Sequence, residues 1–450
     1  MPIKRDHLIR LCIVAFTLGA NLAADETASQ AIERPSGTER NAIEPDTLPN
    51  LGVESTLSDF LLYAALSNAE LEAAFNRWRA ALERIPQAEA LPDPRLSYRY
   101  FVREVETRVG PQRQAFELSQ QFPWFGKLEL AGDAAGQVAM AERQRYEATK
   151  LRVFYAVKSA WYEYYYLTRS VAVTEENAEL LRNVEAVARQ QYAAGRTTRR
   201  DVIRLQVELG SLDDRAEALR DLKGPMAAEL NAALNRPLDA AVPAIEDIEP
   251  EFITIDENAA ADALNRLNPT LQAIAYEAAS AHREMELARK KYAPDITLGL
   301  NYTDVGSSDR AARFGDNGKD AVAAMISISI PIWHGSYSAA VSEARLQRLS
   351  KLQQRRDTAN KLKAELQMSL YRLRDGRRKI DLYDNALLPK ARESLKVTEQ
   401  AFRAGDASFV DLIDAQRTYL DFELSNERAL ADHQKALAKI EMLCARRFQD

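Results

Sequence analysis

The chain has 450 residues, 46% of them hydrophobic and 28% charged, with a formal net charge of −6 and a mean hydropathy of −0.37. Glycine and proline number 17 each, too few for a collagen-like or disordered chain or an ordinary β-sandwich, and the acidic balance speaks against nucleic acid as a partner. No apolar run reaches 18 residues, so a transmembrane helix is excluded.

At the N-terminus Lys4, Arg5 and Arg10 precede the short apolar stretch Leu11–Ala20, and the small residues Ala23 and Ala24 follow. That is the order of a secretory signal peptide over residues 1–24. A buried amphipathic first helix is the other reading, opposed by the polar turn of the chain at Asp25. Cys12 lies inside the apolar stretch rather than at the cleavage point, so no lipid anchor is expected. Cleavage removes three cationic side chains and one acid, taking the net charge from −6 to −8, and leaves Cys444 without a disulfide partner. Residues 25–55, with Pro35, Pro45 and Pro49 and no apolar period, read as a flexible arm.

The remainder is one unit present twice, over residues 56–240 and 241–450. YAAGRTTRRDVIRLQ at 192–206 returns as FRAGDASFVDLIDAQ at 402–416. The two align Ala194/Ala404, Gly195/Gly405, Asp201/Asp411, Ile203/Ile413 and Gln206/Gln416, with Tyr192 opposite Phe402. Upstream, Asp93-Pro94-Arg95-Leu96 answers Pro294-Asp295-Ile296, and Phe122-Pro123-Trp124-Phe125-Gly126 answers Ile330-Pro331-Ile332-Trp333-His334-Gly335.

In chain order, the first unit opens with a helix at 57–85. Strict alternation follows: Leu96, Tyr98, Tyr100 and Val102 against Arg95, Ser97, Arg99 and Phe101, then Phe116, Leu118 and Phe122 against Glu117, Ser119 and Gln121. These predict strands at about 95–102 and 114–122. From Lys127 to Tyr192 no proline occurs, and Leu151, Phe154, Val157, Trp161 and Tyr165 recur at helical spacing. A helix of that length, about 100 Å, needs a partner to cover its apolar stripe. The chain turns at Gly195 and returns as a helix over 200–235, and Arg236–Pro250, interrupted by prolines, crosses to the second unit. That unit repeats the plan with a helix at 258–292 and strands at about 295–303 and 321–331. A long helix from Ser336 to Phe402, broken only by Pro389, a turn at Gly405 and a return over 408–447 complete it.

Each alternating run has the length of a tilted membrane strand, although a soluble hairpin packed on helices would alternate in the same way. Phe122, Trp124, Phe125, Tyr292 and Trp333 crowd the inner strand ends, where a membrane interface favours aromatics. Four strands cannot close a barrel, and an open edge in lipid leaves backbone groups unpaired. Pooling three chains gives an even-numbered barrel of twelve strands, with the helices hanging from it as a tube.

The duplicated layout, the FPWFGK and IPIWHGS junctions and the paired Y/F-x-x-G-x-x-x-x-x-D turns resemble the TolC family of outer-membrane efflux proteins over about residues 55–447. LPDPRLSY, SQQFPWFGK, LNRP at 234–237 and VDLIDAQRTYL are similar to the branch that serves heavy-metal RND pumps. The resemblance implies a mainly α fold with a small β part: a homotrimer whose transmembrane β-barrel continues into a periplasmic α-barrel. It implies a passive exit duct in the outer membrane, coupled through a periplasmic adaptor (a membrane fusion protein) to an inner-membrane RND pump. Export of heavy-metal cations is expected. A multidrug or type I secretion duct of the same family, a soluble periplasmic coiled-coil scaffold and an exported hydrolase are the other readings.

Thr198-x-x-Asp201 and Ser408-x-x-Asp411 fit capping boxes, which is one sufficient reason for both acids. Asp414 is not required by a cap; it shares a helix face with Asp411, and its repeat counterpart is Arg204. In a trimer Asp411 and Asp414 would set six carboxylates around one axis, an arrangement that attracts cations, with pKa values raised by like-charge crowding. The resemblance places Asp411 and Asp414 at the constriction of the closed periplasmic entrance. It also places the family's turn-tying tyrosine and arginine on Phe402 and Ala407, which cannot make that polar link. Arg196, Arg199 and Arg200 either pair with Asp406 or Asp411 or are solvated tip charges. The exposed turns 193–199 and 403–409, with Gly195 and Gly405, are the expected adaptor contacts.

The cluster Trp161, Tyr162, Tyr164, Tyr165 and Tyr166 reads as packing rather than a ligand site. His282, His334, His433 and Cys444 lack metal-ligand spacing, and no nucleotide-binding or nucleophile motif is present. No cofactor, metal site or enzymatic activity is expected.

Overall fold

The structure is a computed structural model describing residues 48–448 except 246, 247, 249, 251, 313 and 314. The signal peptide, Cys12 and the arm as far as residue 47 lie outside the described residues. The elements are helices α1 (Leu57–Ser67), α2 (Ala69–Leu82) and α3 (Arg84–Glu89), strands β1 (Arg95–Thr107) and β2 (Gly110–Phe122), then helices α4 (Lys127–Ala193) and α5 (Arg199–Leu234). The second half holds α6 (Glu257–Leu267), α7 (Pro269–Lys290), β3 (Ile296–Val305), β4 (Ala321–Ile328), α8 (His334–Leu382), a π turn (Tyr383–Leu387), α9 (Leu388–Ala404) and α10 (Phe409–Cys444). The fold is mainly helical with one small antiparallel sheet. No helix among the described residues is long and apolar enough to cross a membrane, which says nothing of a β-barrel.

The residues form two compact units. One, from residues 73–148 and 269–361, contains the sheet, in the order β1-β2-β3-β4 and antiparallel throughout. The register sorts side chains by face. Leu96, Leu118, Leu300 and Ala324 stand in one cross-strand row, and Tyr98, Phe116, Tyr302 and Val322 in another. The rows between them read Arg95, Ser119, Gly299, Met325 and Ser97, Glu117, Asn301, Ala323. The apolar face is uncovered, with Leu96 and Ile326 each 73% exposed. Neither β1 nor β4 has a second partner strand among the described residues.

The strands differ from the alternation in their ends. β1 and β2 continue to Thr107 and Gly110, because a register shift between Tyr100 and Val105 breaks the period without ending the pairing. β4 stops at Ile328 rather than near 331; Pro331 has no N–H to give to a ladder. Gly110, at φ +131°, is required in the β1–β2 turn, since a Cβ there would lie 1.8 Å from the Gly306 carbonyl oxygen.

At the foot of the sheet Asp295 gathers both repeats. Its carboxylate accepts from Lys127 Nζ at 2.7 Å and the Trp124 N–H at 2.8 Å, while its own N–H donates to Ser329 Oγ at 2.7 Å. The pair is mostly buried, with side chains 14% (Lys127) and 23% (Asp295) exposed.

The other unit is helical, from residues 48–72, 149–268 and 362–448. One cluster packs Phe60, Ala64, Val157, Trp161, Tyr164, Tyr165, Leu230 and Leu234. Leu51, composition's flexible arm notwithstanding, is buried in it, because an apolar side chain that meets an open core contact is held there. Trp161, Tyr164 and Tyr165 are thus packing residues, and Tyr165 donates its hydroxyl to Glu427 at 2.6 Å. A second cluster joins Leu181, Val184 and Ala188 of α4, Leu205 and Leu212 of α5, Leu395 and Phe402 of α9, and Phe409, Leu412 and Leu420 of α10.

Helices expected to be single are divided. The span 57–85 breaks at Asn68, whose side chain caps the next helix by accepting from the Leu71 N–H at 3.0 Å. The span 258–292 breaks before Pro269. In the long helix the widened π turn Tyr383–Leu387 sits just ahead of Pro389, which cannot donate to the carbonyl of Asn385. Tyr383 packs on Phe422 at 5.9 Å, and Asn426 donates to Asp384 at 2.7 Å, so the irregular turn is held from α10.

Burial pushes the Asp295 carboxyl up, but the Lys127 ammonium and the Trp124 N–H outweigh it and hold it below its ordinary value of 3.8. A depressed folded pKa contributes stability that is complete above the ordinary value and disappears as pH falls through the folded one. Asp295→Ala should therefore cost about 2 kcal/mol at neutral pH. Thermal melts of variant and parent should converge below pH 3.8; a gap that persists in acid would refute the ion-pair account.

Candidate functional site

The two hairpin ends fall within the helical unit, and their geometry follows from glycine and capping. Gly195 and Gly405 take left-handed φ of +74° and +90°, ending α4 and α9 as a side chain with Cβ would do only under strain. Ser408 opens α10 with a full capping box. Asp411 Oδ2 accepts from the Ser408 N–H at 3.1 Å and from Ser408 Oγ at 2.6 Å, and the Asp411 N–H donates to Ser408 Oγ at 3.2 Å. In the first repeat the Asp201 N–H donates to Thr198 Oγ1 at 3.3 Å, and Asp201 Oδ2 accepts from Thr198 Oγ1 at 2.5 Å.

These bonds bear on the acids. Ser408 holds the Asp411 carboxyl below its usual range, the reverse within one chain of the rise that crowding would cause. Asp414, one turn on, is exposed; its backbone carbonyl accepts from Thr418 Oγ1 at 2.7 Å, and its carboxylate acts electrostatically on Arg417. Asp411 and Asp414 therefore present two exposed carboxylates at the start of α10, one committed to a cap and one not.

Arg196, Arg199 and Arg200 are exposed and form no ion pair among the described residues; Asp406 is likewise exposed. Phe402 is 4% exposed and meets the Phe409 ring edge-on at 6.5 Å. The polar ties between the repeats come from residues that the sequence did not single out. Gln191 Nε2 donates to the Arg403 carbonyl at 3.2 Å and weakly to that of Phe402 at 3.4 Å. Arg417 clasps Glu208 through two nitrogens, Nε at 2.9 Å and Nη2, and buried Gln416 donates to the Asn177 carbonyl at 3.0 Å. The Gln206/Gln416 identity in the repeat was the available signal for the last of these.

In the sheet-bearing unit, Phe125 is 79% and Trp333 72% exposed, and Phe122 is also exposed. Trp124 is less so: it packs edge-on against Phe125 at 5.8 Å, and its N–H is held by Asp295. The rings lie at the strand–helix junctions beside Ile330 and Ile332, both exposed.

The isolated histidines take ordinary places. His433 is buried with Nδ1 2.9 Å from the Leu373 carbonyl oxygen, and His334 stacks on Tyr292 at 5.8 Å. Burial pushes the Cys444 thiol up to about 12, leaving it inert. No group of three or more His, Cys, Asp or Glu side chains among the described residues is disposed to hold a metal.

The chain thus combines a four-stranded antiparallel sheet, apolar on one face and polar on the other, with long helical hairpins. Comparison with known proteins shows what the chain resembles. Residues 260–445 match the outer membrane efflux protein family. It is 25% identical over 404 residues to the cobalt-zinc-cadmium resistance protein CzcC of Cupriavidus metallidurans, covering 87% of this chain and 90% of that one. It is 22% identical over 406 residues to nodulation protein T of Rhizobium leguminosarum bv. trifolii, covering 85% and 84%. Its fold matches the solved structure of CusC with a TM-score of 0.74 at 15% identity, covering 91% of this chain and 98% of that one. The family is one of channels, not enzymes.

The two acids at the start of α10 should separate in a stability test. Ser408→Ala should cost about 1 kcal/mol by removing the cap, read as faster amide exchange over the first turns of α10. Asp414→Asn should leave that exchange unchanged; protection lost equally in both variants would show that Asp414 too is structural.

Proposed function

We propose that three copies of this chain, exported by the signal over residues 1–24, form a twelve-stranded barrel in the outer membrane of a bacterial cell, continuous with a periplasmic helical tube. The observation that carries the reading is the sheet: its apolar rows are uncovered and its two edge strands lack outer partners, so joining β4 of one copy to β1 of the next satisfies both lipid and backbone. The duct is passive. Its exposed hairpin ends, 193–199 and 403–409, meet a periplasmic adaptor, and through it an inner-membrane RND pump supplies the energy.

The cargo proposed is heavy-metal cations. The likeness to a cobalt-zinc-cadmium resistance protein along most of both chains supports it, as do the exposed carboxylates of Asp411 and Asp414, which around a threefold axis would form an acidic entrance drawing cations in. The similar likeness to nodulation protein T supports the second reading, the same duct serving another cargo such as drugs or a secreted protein.

Outer-membrane fractionation, heat-modifiable trimers and conductance in planar bilayers test the channel; a protein that stays soluble in the periplasm would instead be a coiled-coil scaffold. Asp411→Ala with Asp414→Ala should raise conductance and weaken block by multivalent cations, and unchanged block would refute the acidic gate. Deleting the gene should sensitise the cell to zinc, cobalt, cadmium, copper or silver more than to dyes and detergents; the reverse order would favour the second cargo.

A further inference from the structure

The polar face of the sheet is not electrically neutral, and its charge is opposite to that of the second hairpin end, which carries Asp406, Asp411 and Asp414. The cross-strand rows on that face read Arg95, Ser119, Gly299, Met325; then Ser97, Glu117, Asn301, Ala323; then Arg99, Ala115, Thr303, Ala321. The innermost row on the same face adds only Gln121, Thr297 and Ser327. The charged groups on these rows are two arginines of β1 and one glutamate of β2, with none from β3 or β4. Arg95 and Arg99 are both exposed, and neither forms an ion pair with Glu117 among the described residues. Ala321 and Ala323 are small and exposed, whereas Ala115 and Thr303, in the row of Arg99, are buried.

We infer that Arg95 and Arg99 form a basic filter inside the barrel, favouring the passage of small anions over cations. The inference rests on the barrel reading, in which lipid takes the apolar face and the lumen takes this one. Three copies would set two rings of arginine about 13 Å apart along the strands, from a rise of about 3.3 Å per residue. Twelve strands spaced about 4.8 Å and tilted about 40° close a ring about 24 Å across between backbones. An ion on the axis then lies within about 10 Å of the guanidinium groups, close to the Debye length of about 8 Å at physiological salt. At that distance and with that screening, the three unit charges of one ring together change local ion occupancy by about twofold, enough to bias permeation without blocking it.

The test is the chloride-to-potassium permeability ratio, from reversal potentials in planar bilayers under a KCl gradient. Measurement in an Asp411→Ala/Asp414→Ala background removes the acidic entrance as a second selective element in series. There, Arg95→Ser with Arg99→Ser should lower the ratio at least about twofold near 0.1 M salt, and Glu117→Gln should raise it. Both effects should vanish near 1 M, where the Debye length is about 3 Å. A conducting channel whose ratio is unmoved by the arginine substitutions overturns the filter and leaves the channel reading intact. Absence of conductance in the parent and every variant overturns both.

Discussion

The constraint on which the rest depends is the unpaired backbone at the two edges of a four-stranded sheet. In hydrocarbon each orphan N–H or carbonyl costs several kcal/mol, and an edge in water would template further pairing. Among the described residues β1 and β4 have no outer partner strand, and neither contains a proline. In a membrane such a sheet must be closed by further strands. The same logic explains the apolar rows, which alternate with polar ones at single-residue spacing and would have no reason to be uncovered in a finished soluble unit. At the foot of the sheet, backbone pairing gives way to helix, and Asp295 occupies the point where β2, β3 and β4 end together. An aspartate suits that point because one carboxylate can take an ammonium and a backbone N–H at once while its own N–H remains free to donate.

The two hairpins of the helical unit have diverged from their common ancestor in a consistent direction. Tyr192 is 47% exposed where its counterpart Phe402 is buried, and Ile203 is exposed where Ile413 is buried. Arg199 is exposed, and its counterpart Phe409 belongs to the core cluster. The second repeat thus provides the inner packing of the hairpin ends, while the first turns arginines and apolar residues outward. Ion pairs between the two, such as Arg417 with Glu208, are too exposed to supply much stability alone; the apolar cluster supplies it, and the charged and amide contacts fix which turn of one helix faces which turn of the other.

Much of this was legible in the chain. The repeat, the strand alternation and the apolar period of α4 are local regularities, and the structure follows them because each expresses one buried face. The capping of Asp201 and Asp411 was legible for the same reason, since a box spans four residues. What the sequence concealed lay in register. The shift between Tyr100 and Val105 hid the end of β1, the π turn absorbed a proline expected only to break a helix, and the Asp295–Lys127 and Gln191–Arg403 contacts join residues 168 and 212 positions apart. Long-range pairings of this kind leave no period to read.

The charge pattern carries the last step. Within one repeat, basic residues gather on β1 and at the end of the first hairpin, whereas acids gather at the end of the second. Duplication alone would have produced equal ends. In the proposed duct the two hairpins need not match, because each would meet a different neighbour. Carboxylates at the start of α10 and guanidinium groups on the polar sheet face would act on a passing ion in opposite senses, setting which ions permeate rather than in which direction. Selectivity in such a channel is set by where fixed charges stand relative to the Debye length, and the positions of Asp411, Asp414, Arg95 and Arg99 are the ones that the fold leaves free of structural duty or commits to it only in part.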